Sequence, residues 1–289
     1  MINCVESRPA FADPSILRYA SDAMKTTFRV FVAGASPDVV DPAVSEAFQK
    51  LEHLECLLSR YIPGSDIARI NAMKTGESLF VSDDCDACLR LAIGAMELTG
   101  GRFDPCAGCM VDAIKAGAES APVPRGIVSL DPVRPLVTCS ETGRILDLGA
   151  IGKGYALECM AEILARHGIG SALLTSGAST MLATGGTAWP VDVSRRAGTI
   201  RLGLCGVALA ASGSSQQGPH IVNPLDGSAA GRFQSVWVVH PRAALADAFS
   251  TACFVMTPEE IAEFAGRLPS GCRVISDPDW ETRVRLPQE

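Results

Sequence analysis

The apolar positions of the first half of the chain follow helical spacing in two segments. The first segment is predicted to start with Asp41 as the cap and Pro42 at the first helical position, and its apolar stripe is Val44, Phe48, Leu51, Leu54 and Leu58. A second helix is predicted from about Ser82 to Leu98, before two glycines. Alternation of apolar and polar residues predicts a strand over 26–34.

In the second half, the pattern changes to short alternating segments separated by glycines and polar turns. These segments, "SALLT", "WPVDVS", "GTIRLGL", "VALAASG" and "SVWVVH", predict sheets with mixed or antiparallel pairing. Helices are predicted again over 244–256 and from 257, where Thr257, Pro258 and Glu260 occupy capping-box positions. Residues 102–143 contain five prolines and are predicted to be irregular. The pattern predicts an α+β fold in one interleaved unit rather than two linked domains.

The stretch "RILDLGAIGKGYALECMAEIL", residues 144–164, predicts a strand, a glycine turn and an amphipathic helix that ends near 167. It is neither a Walker motif nor a GxGxxG motif, because the glycine spacing differs from both. Glycines and Lys153 before a helix start are suited to holding a phosphate. The alternative is a tight turn whose lysine is merely solvated.

Composition narrows the function classes. The 289 residues are 47% hydrophobic and 20% charged, which is typical of a globular protein. The formal net charge of −7 argues against nucleic-acid binding. No segment reaches the ~20 apolar residues of a membrane span, and the start lacks a secretory signal. We expect a cytoplasmic protein; an exported form with its leader removed is the alternative.

Eleven cysteines include two CxxC pairs, Cys85/Cys88 and Cys106/Cys109, at a spacing that zinc ribbons also use. The first pair falls on a predicted amphipathic helix, whereas zinc knuckles usually lie on hairpin turns. We therefore expect reduced thiols and no stoichiometric zinc.

Three polar residues near the C-terminal half are candidates for chemistry. Asp247 and Thr251 lie four residues apart, hence on one face of an otherwise apolar predicted helix. A buried acid and hydroxyl need each other or a hard cation such as Mg²⁺. His220, in "GPHIVNPLDG", is suited to proton transfer or is a locally bonded turn residue.

Taken in order, six motifs resemble those of the FAD:protein FMN transferases, the ApbE-like family. The motifs are "AMKTTF" (23–28), "SRYIPGSDIARIN" (59–71), "TGGRFDP" (99–105), "LDLGAIGKGYALE" (146–158), "ASG…HIVNPLDG" (211–227) and "ADAFSTACFVM" (246–256). The resemblance implies a domain over 23–289 after an N-terminal extension, 1–22. It also implies a T-shaped α+β fold that binds FAD as substrate and uses Mg²⁺. Such an enzyme attaches FMN through a phosphoester to a Ser or Thr of an acceptor flavoprotein and releases AMP.

The resemblance also assigns residues. It implies FAD contacts at Met24, Tyr61, Arg102, Phe103, Asp104, Asp147, Lys153 and Ile221. It implies metal ligation by the side chains of Asp247 and Thr251 and by a backbone carbonyl that we assign to Ala150. The catalytic candidates are Asp247, His220 and Lys153, with His220 or Asp247 taking the proton of the acceptor hydroxyl.

One departure keeps two other functions open. Many relatives have two glycines followed by Asp, Asn or Ser where this chain has "TSGAST", and the methyl group of Ala178 would crowd a close backbone approach. The alternatives are a catalytically degenerate FAD-binding module and an FAD pyrophosphatase that yields FMN and AMP.

Overall fold

The computed structural model describes residues 13–118, 121, 126–195, 198–213, 221–277 and 280–282. In this part of the chain the helices are α1 (Pro37–Leu58), α2 (Asp66–Asn71), α3 (Asp83–Leu98), α4 (Gly108–Lys115), α5 (Gly152–Arg166), α6 (Ala243–Val255) and α7 (Pro258–Arg267). The strands are β1 (Leu17–Ala23), β2 (Thr26–Val32), β3 (Ser78–Phe80), β4 (Ile127–Leu130), β5 (Leu136–Glu141), β6 (Ala172–Ser176), β7 (Thr180–Thr184), β8 (Trp189–Arg195), β9 (Gly198–Leu204), β10 (Ala208–Gly213), β11 (Ser235–His240), β12 (Arg273–Asp277) and β13 (Trp280–Thr282).

The strands form three sheets, and every pair of neighbouring strands is antiparallel. The main sheet has eight strands in the order β1-β2-β6-β7-β10-β11-β12-β13; β3-β5-β4 and β8-β9 form the smaller sheets. The α+β class predicted from the sequence is confirmed. The expected N-terminal extension, 1–22, includes most of β1, which pairs with β2 at the edge of the main sheet.

Both faces of the main sheet are covered. On one face, residues such as Val30, Leu174 and Val238 join the core formed with α1, α3, α5 and α6. On the other face, Leu173 and Trp237 pack against the β8-β9 hairpin. Because both faces are covered, every residue of β6 and β11 is buried. Strands of this kind have consecutive apolar residues rather than an alternation of apolar and polar ones.

Several predicted elements differ from the structure. Helix α1 begins at Pro37, with Ser36 as its N-cap, so Pro42 lies inside the helix. Asp41 is therefore not the cap, and its carboxylate accepts a hydrogen bond from Tyr19. The prediction that 102–143 is irregular was wrong, because this stretch contains α4, β4 and β5.

The strand predicted before the glycine turn, at the start of the stretch 144–164, is absent. Only Ile145 forms a bridge, to Ala107. The backbone N–H and C=O groups of Leu146 bond to the side-chain amide of Asn71, at 2.7 and 3.0 Å. A side chain thus satisfies the main chain where a neighbouring strand otherwise would.

Helices α5 and α6 cross in backbone contact. A Cβ atom on Gly154 would lie 2.2 Å from the carbonyl oxygen of Ala243, so only glycine permits this approach. One turn further along α5, the Glu158 carboxylate accepts the N–H of Ala244 at 3.0 Å and pairs with Arg242. Since Arg242, the N-cap residue of α6, makes no capping bond itself, Glu158 caps α6 from the neighbouring helix.

The described helices include none that combines the length and the apolar character required to cross a bilayer.

This crossing generates the first prediction. Gly154→Ala should lower the free energy of unfolding by about 1–3 kcal/mol or more, because the new methyl group meets backbone that cannot rotate away. Gly94→Ala in α3 is the matched control: nothing lies within 4 Å of its added Cβ. Its better helix propensity should raise stability by about 0.8–1 kcal/mol. Urea unfolding measures both, and parental stability of Gly154→Ala would contradict the close crossing.

Candidate functional site

A buried carboxylate, Asp247, lies at the centre of the candidate site. It is 4% exposed on a helix whose other buried residues are almost all apolar. Its Oδ1 accepts the hydroxyl of Thr180 at 3.0 Å, and its Oδ2 accepts the N–H of Gly154 at 3.2 Å. The ammonium of Lys153 lies 3.7 Å from Oδ2. Two donors and one cation compensate the loss of hydration that burial imposes on the carboxylate.

Lys153 lies in the first turn of α5, and its ammonium group is bonded to the protein. Its Nζ donates to the carbonyl oxygen of Gly149 at 2.6 Å, and its side chain is 22% exposed. The alternative of a freely solvated lysine in a simple turn does not describe this geometry. An ammonium group has three donors, so Lys153 retains capacity to bind a ligand anion.

Thr251 lies one turn beyond Asp247 on α6, as the spacing predicted. Its Oγ1 is 3.2 Å from the Ser212 hydroxyl and 3.4 Å from the carbonyl oxygen of Asp247. Ala150 is half-buried in the turn before α5, next to the Gly149 carbonyl that Lys153 contacts. Asp247 and Thr251 thus share one face of α6, and Ala150 lies in the turn that precedes α5, the helix that crosses α6.

The chemistry of these donors fits Mg²⁺. A carboxylate, a hydroxyl and a backbone carbonyl are hard oxygen ligands, and Mg²⁺ in proteins commonly takes one or two carboxylates plus substrate phosphates and water. Within the described residues, no group of three or more His, Cys, Asp and Glu side chains is placed to bind a metal. The site thus has the oxygen-rich, single-carboxylate character of a substrate-assisted magnesium site.

Asp147, a predicted FAD contact, is connected to Lys153 through the same turn. Its Oδ1 accepts the N–H of Gly149 at 2.9 Å, and its Oδ2 accepts Nε of Arg60 at 2.7 Å. Arg60 also forms a bidentate pair with Asp112, at 2.6 and 2.8 Å. Hydrogen bonding to Asp112, opposed by partial burial, raises the pKa of Arg60. The Arg60 guanidinium thus stays charged and fixes the Asp147 carboxylate.

Met24 and Tyr61 lie beside this cluster. The Tyr61 ring is 53% exposed, with the guanidinium carbon of Arg60 4.5 Å and Nζ of Lys25 4.2 Å from its centroid. Met24 and Lys25 have φ angles of 49° and 59°, a left-handed conformation that costs non-glycine residues roughly 1–2 kcal/mol each. The Glu55 carboxylate holds the Met24 N–H at 2.8 Å. An exposed aromatic face between cations is suited to a flat ring system.

The other predicted FAD contacts have partners of their own. Arg102 pairs with Glu260 and donates to Asn223 at 3.2 Å. Phe103 is buried in the core. Asp104 accepts the N–H of Cys106 at 2.7 Å and lies 3.3 Å from a guanidinium nitrogen of Arg144.

Residue 220 is not among the described residues, so the structure does not place His220. Its neighbour Ile221 is buried at the start of a turn, where its carbonyl accepts the N–H of Ala230 at 2.9 Å. Ala178 lies half-buried in the turn between β6 and β7.

Neither CxxC pair resembles a thiolate metal site. Cys85 and Cys88 are buried in α3, and burial raises the pKa of both thiols. Burial raises the pKa of Cys106 to about 11. Within the described residues, no further His, Cys, Asp or Glu side chain joins either pair in a group that could hold a metal ion. The expectation of no stoichiometric zinc stays a prediction.

Sequence reasoning missed four residues that bond to the candidate site: Arg60, Gly154, Thr180 and Ser212. Arg60, Gly154 and Ser212 lie within the motifs, but their types carry no signal of a partner far along the chain. The only signal for Thr180 is a hydroxyl at the end of an apolar strand.

Solved structures with the same fold come from several bacteria. The flavin transferase ApbE from Vibrio cholerae matches with a TM-score of 0.78 and 20% identity, over 92% of this chain and 95% of that chain. The ApbE protein from Thermotoga maritima matches with a TM-score of 0.76 and 22% identity, over 93% and 96% respectively. At this identity the likeness establishes the fold.

The chain is also similar in sequence to a curated relative and to a protein family. A protein named FAD:protein FMN transferase, from Treponema pallidum (strain Nichols), is 26% identical over 304 residues, which cover 90% of this chain and 84% of the relative. The ApbE family matches residues 24–276. Since that match extends over far more than half of the sequence, the chain belongs to the ApbE family, as the resemblance of its motifs predicted.

Proposed function

We propose that this chain transfers FMN from FAD to a Ser or Thr hydroxyl of an acceptor flavoprotein and releases AMP. The observation that carries the proposal is the pairing of a buried carboxylate, Asp247, with Lys153 at the start of α5. A metal-ligating carboxylate next to a cation at a helix N-terminus is suited to a pyrophosphate. Family membership and the relative from Treponema pallidum support the same activity.

In this reaction, the acceptor oxygen forms a bond to the phosphorus of the FMN half while the pyrophosphate P–O bond breaks. The electron pair of that bond leaves with AMP, and the acceptor hydroxyl loses its proton. Phosphoryl transfer of this kind depends mainly on positioning and on charge neutralisation. Asp247, Thr251 and the Ala150 carbonyl would hold Mg²⁺, which supplies Lewis-acid stabilisation of the phosphate charge when bound.

The remaining steps belong to side chains of this chain. Lys153 offsets negative charge on the pyrophosphate and on the leaving AMP oxygen. Tyr61 and Met24 provide a face for a ring of FAD, and Asp147, fixed by Arg60, orients polar groups beside it. His220 is our first candidate for taking the acceptor proton, and Asp247 is the second. The proposal includes the cytoplasmic location that is expected from the sequence.

Incubation of the purified chain with FAD and Mg²⁺, with and without a Ser/Thr-containing acceptor peptide, tests the function. AMP release that requires the acceptor, together with a peptide mass increased by FMN, is the expected result. AMP release without acceptor would instead indicate a pyrophosphatase. Bound but unchanged FAD would indicate a catalytically degenerate module, in which Ala178 has closed the approach.

The second prediction concerns the proposed metal ligand. Asp247→Asn keeps the shape of the side chain and an acceptor for Thr180 but removes the charge. Metal-assisted catalysis is worth several kcal/mol, so activity should fall at least about 100-fold. AMP release in EDTA-treated, Mg²⁺-restored buffer measures this, with thermal unfolding to verify the fold. A folded variant that turns over at the parent rate would show that Asp247 is not a metal ligand.

The third prediction concerns Lys153. Lys153→Met keeps most of the stem but loses the ammonium. A charge-assisted contact is worth about 1.5–3 kcal/mol, so kcat/KM for FAD should fall about 10- to 150-fold. Both KM and kcat should worsen, because the pyrophosphate is charged before and during the reaction.

A matched control for this variant is Lys50→Met. Lys50 is also a half-buried lysine next to a carboxylate, since its Nζ lies 2.7 Å from Asp84 on α3. It should leave the kinetics unchanged. Equal kinetics for both variants and the parent would show that Lys153 does not contact the pyrophosphate and is only a residue of the turn.

A further inference from the structure

One face of the main sheet changes from apolar side chains to hydroxyls at one end. On β6, β7 and β10, residues such as Leu174, Leu182 and Ala210 face the helices and belong to the core. Residues two positions apart on a strand lie on the same face, and the next residues on this face of the three strands are Ser176, Thr180 and Ser212. The register pairs Ser176 with Thr180 and Thr180 with Ala210, so the three hydroxyl residues, here called the hydroxyl row, are neighbours.

The hydroxyl row is buried against α6. Ser176 and Thr180 are fully buried, and Ser212 is 9% exposed. A hydroxyl buried without a partner costs roughly 1–3 kcal/mol on protein scales. Thr180 donates to Asp247, while Ser212 lies 2.8 Å from Ser250 and 3.2 Å from Thr251. Two members of the row therefore contact Asp247 and Thr251, the two side chains that we propose as metal ligands.

The directions of these hydrogen bonds follow from counting protons. Ser250 donates its single hydroxyl proton to the carbonyl oxygen of Asp247 at 2.9 Å, because a carbonyl only accepts. Ser212 must then donate to Ser250. With that proton used, Ser212 can only accept, so the Thr251 proton is directed either to Ser212 at 3.2 Å or to the carbonyl oxygen of Asp247 at 3.4 Å. Both acceptors lie within the protein, which leaves the lone pairs of Oγ1 for a cation.

Thr180 acts on the carboxylate in a similar way. By occupying Oδ1, it fixes the rotation of the Asp247 side chain, with Oδ2 turned toward Gly154 and Lys153. Without that donor, only the contacts at Oδ2 would restrain the terminal torsion of the carboxylate, which is broad for Asp. Partners that orient a ligating carboxylate typically influence metal affinity 10- to 100-fold.

We propose that Thr180 and Ser212 are positioning residues that orient Asp247 and Thr251 to bind the cation. The proposal rests on the proposed function, because it takes Asp247 and Thr251 as the ligands of Mg²⁺. It adds a requirement that the helix motif alone does not contain: strands β7 and β10 complete the site from the opposite side.

Thr180→Val tests the proposal, since valine keeps the shape and loses the hydroxyl. We expect Mg²⁺ affinity, measured by titration calorimetry with MgCl₂ in the presence of saturating FAD and without acceptor, to fall about 10- to 100-fold. The Mg²⁺ concentration for half-maximal FMN transfer should rise by a similar factor, and kcat should recover at high Mg²⁺. Thr180→Ser, which restores the donor, should behave as the parent.

The matched control is Thr184→Val at the other end of β7, whose hydroxyl bonds only to the backbone of Ala172 among the described residues. It should leave Mg²⁺ affinity unchanged. If Thr180→Val does not fold, Ser212→Ala provides a second test, because it removes the nearer of the two acceptors for the Thr251 proton. Thermal unfolding and FAD affinity verify that each variant is intact.

Unchanged Mg²⁺ affinity in folded Thr180→Val, or a kcat that stays low at every Mg²⁺ concentration, would overturn the proposal. A parent chain that binds no Mg²⁺ would also overturn it. A parent that binds Mg²⁺ yet transfers no FMN would contradict the proposed function alone, and the calorimetric comparison of the variants would still decide the role of the hydroxyl row.

Discussion

The structure depends on how a single carboxylate is buried between two helices and a sheet. Desolvation of an ionised carboxylate costs several kcal/mol unless donors and charge replace the lost water. Asp247 obtains them from three groups on two elements: a backbone N–H at Gly154 and an ammonium at Lys153 on α5, and a hydroxyl at Thr180 on β7. The backbone donor requires α5 and α6 to touch, and that contact requires glycine at position 154, because the backbone of Ala243 and Ala244 leaves no room for a Cβ atom.

From this point a continuous chain of contacts leads outward to the surface. The Lys153 ammonium bonds to Gly149, whose N–H bonds to Asp147, and Asp147 pairs with Arg60. The Arg60 guanidinium in turn lies over the ring of Tyr61. The predicted cation site and the predicted ring-binding face are therefore parts of one network. Charges alternate along it, so an acidic protein presents local positive charge at Lys153 without leaving a buried charge uncompensated.

Elements with strong local signals were predictable from the sequence. Helix α7 has the capping box at Thr257 and Glu260 that its sequence predicts, and α3 begins after Ser82, which accepts the N–H of Cys85. The five strand segments also form as β6, β8, β9, β10 and β11. The strand predicted before the glycine turn of 144–164 does not form, because Asn71, distant in sequence, bonds to the backbone of Leu146. Local patterns contain no information about such a partner.

The candidate site shows the same division between local and distant information. Asp247 and Thr251 were predictable because four residues along one helix fix their mutual position. Their partners on β7 and β10 lie 67 and 39 positions away in the chain. In the sequence, only the alternation of residues along each strand indicates that these hydroxyls face the helices. A hydroxyl at a helix-facing position that is otherwise apolar costs stability unless a polar group faces it. Thr180 and Ser212 thus point, from the sheet side, to the same polar turn of α6 that Asp247 marks from the helix side.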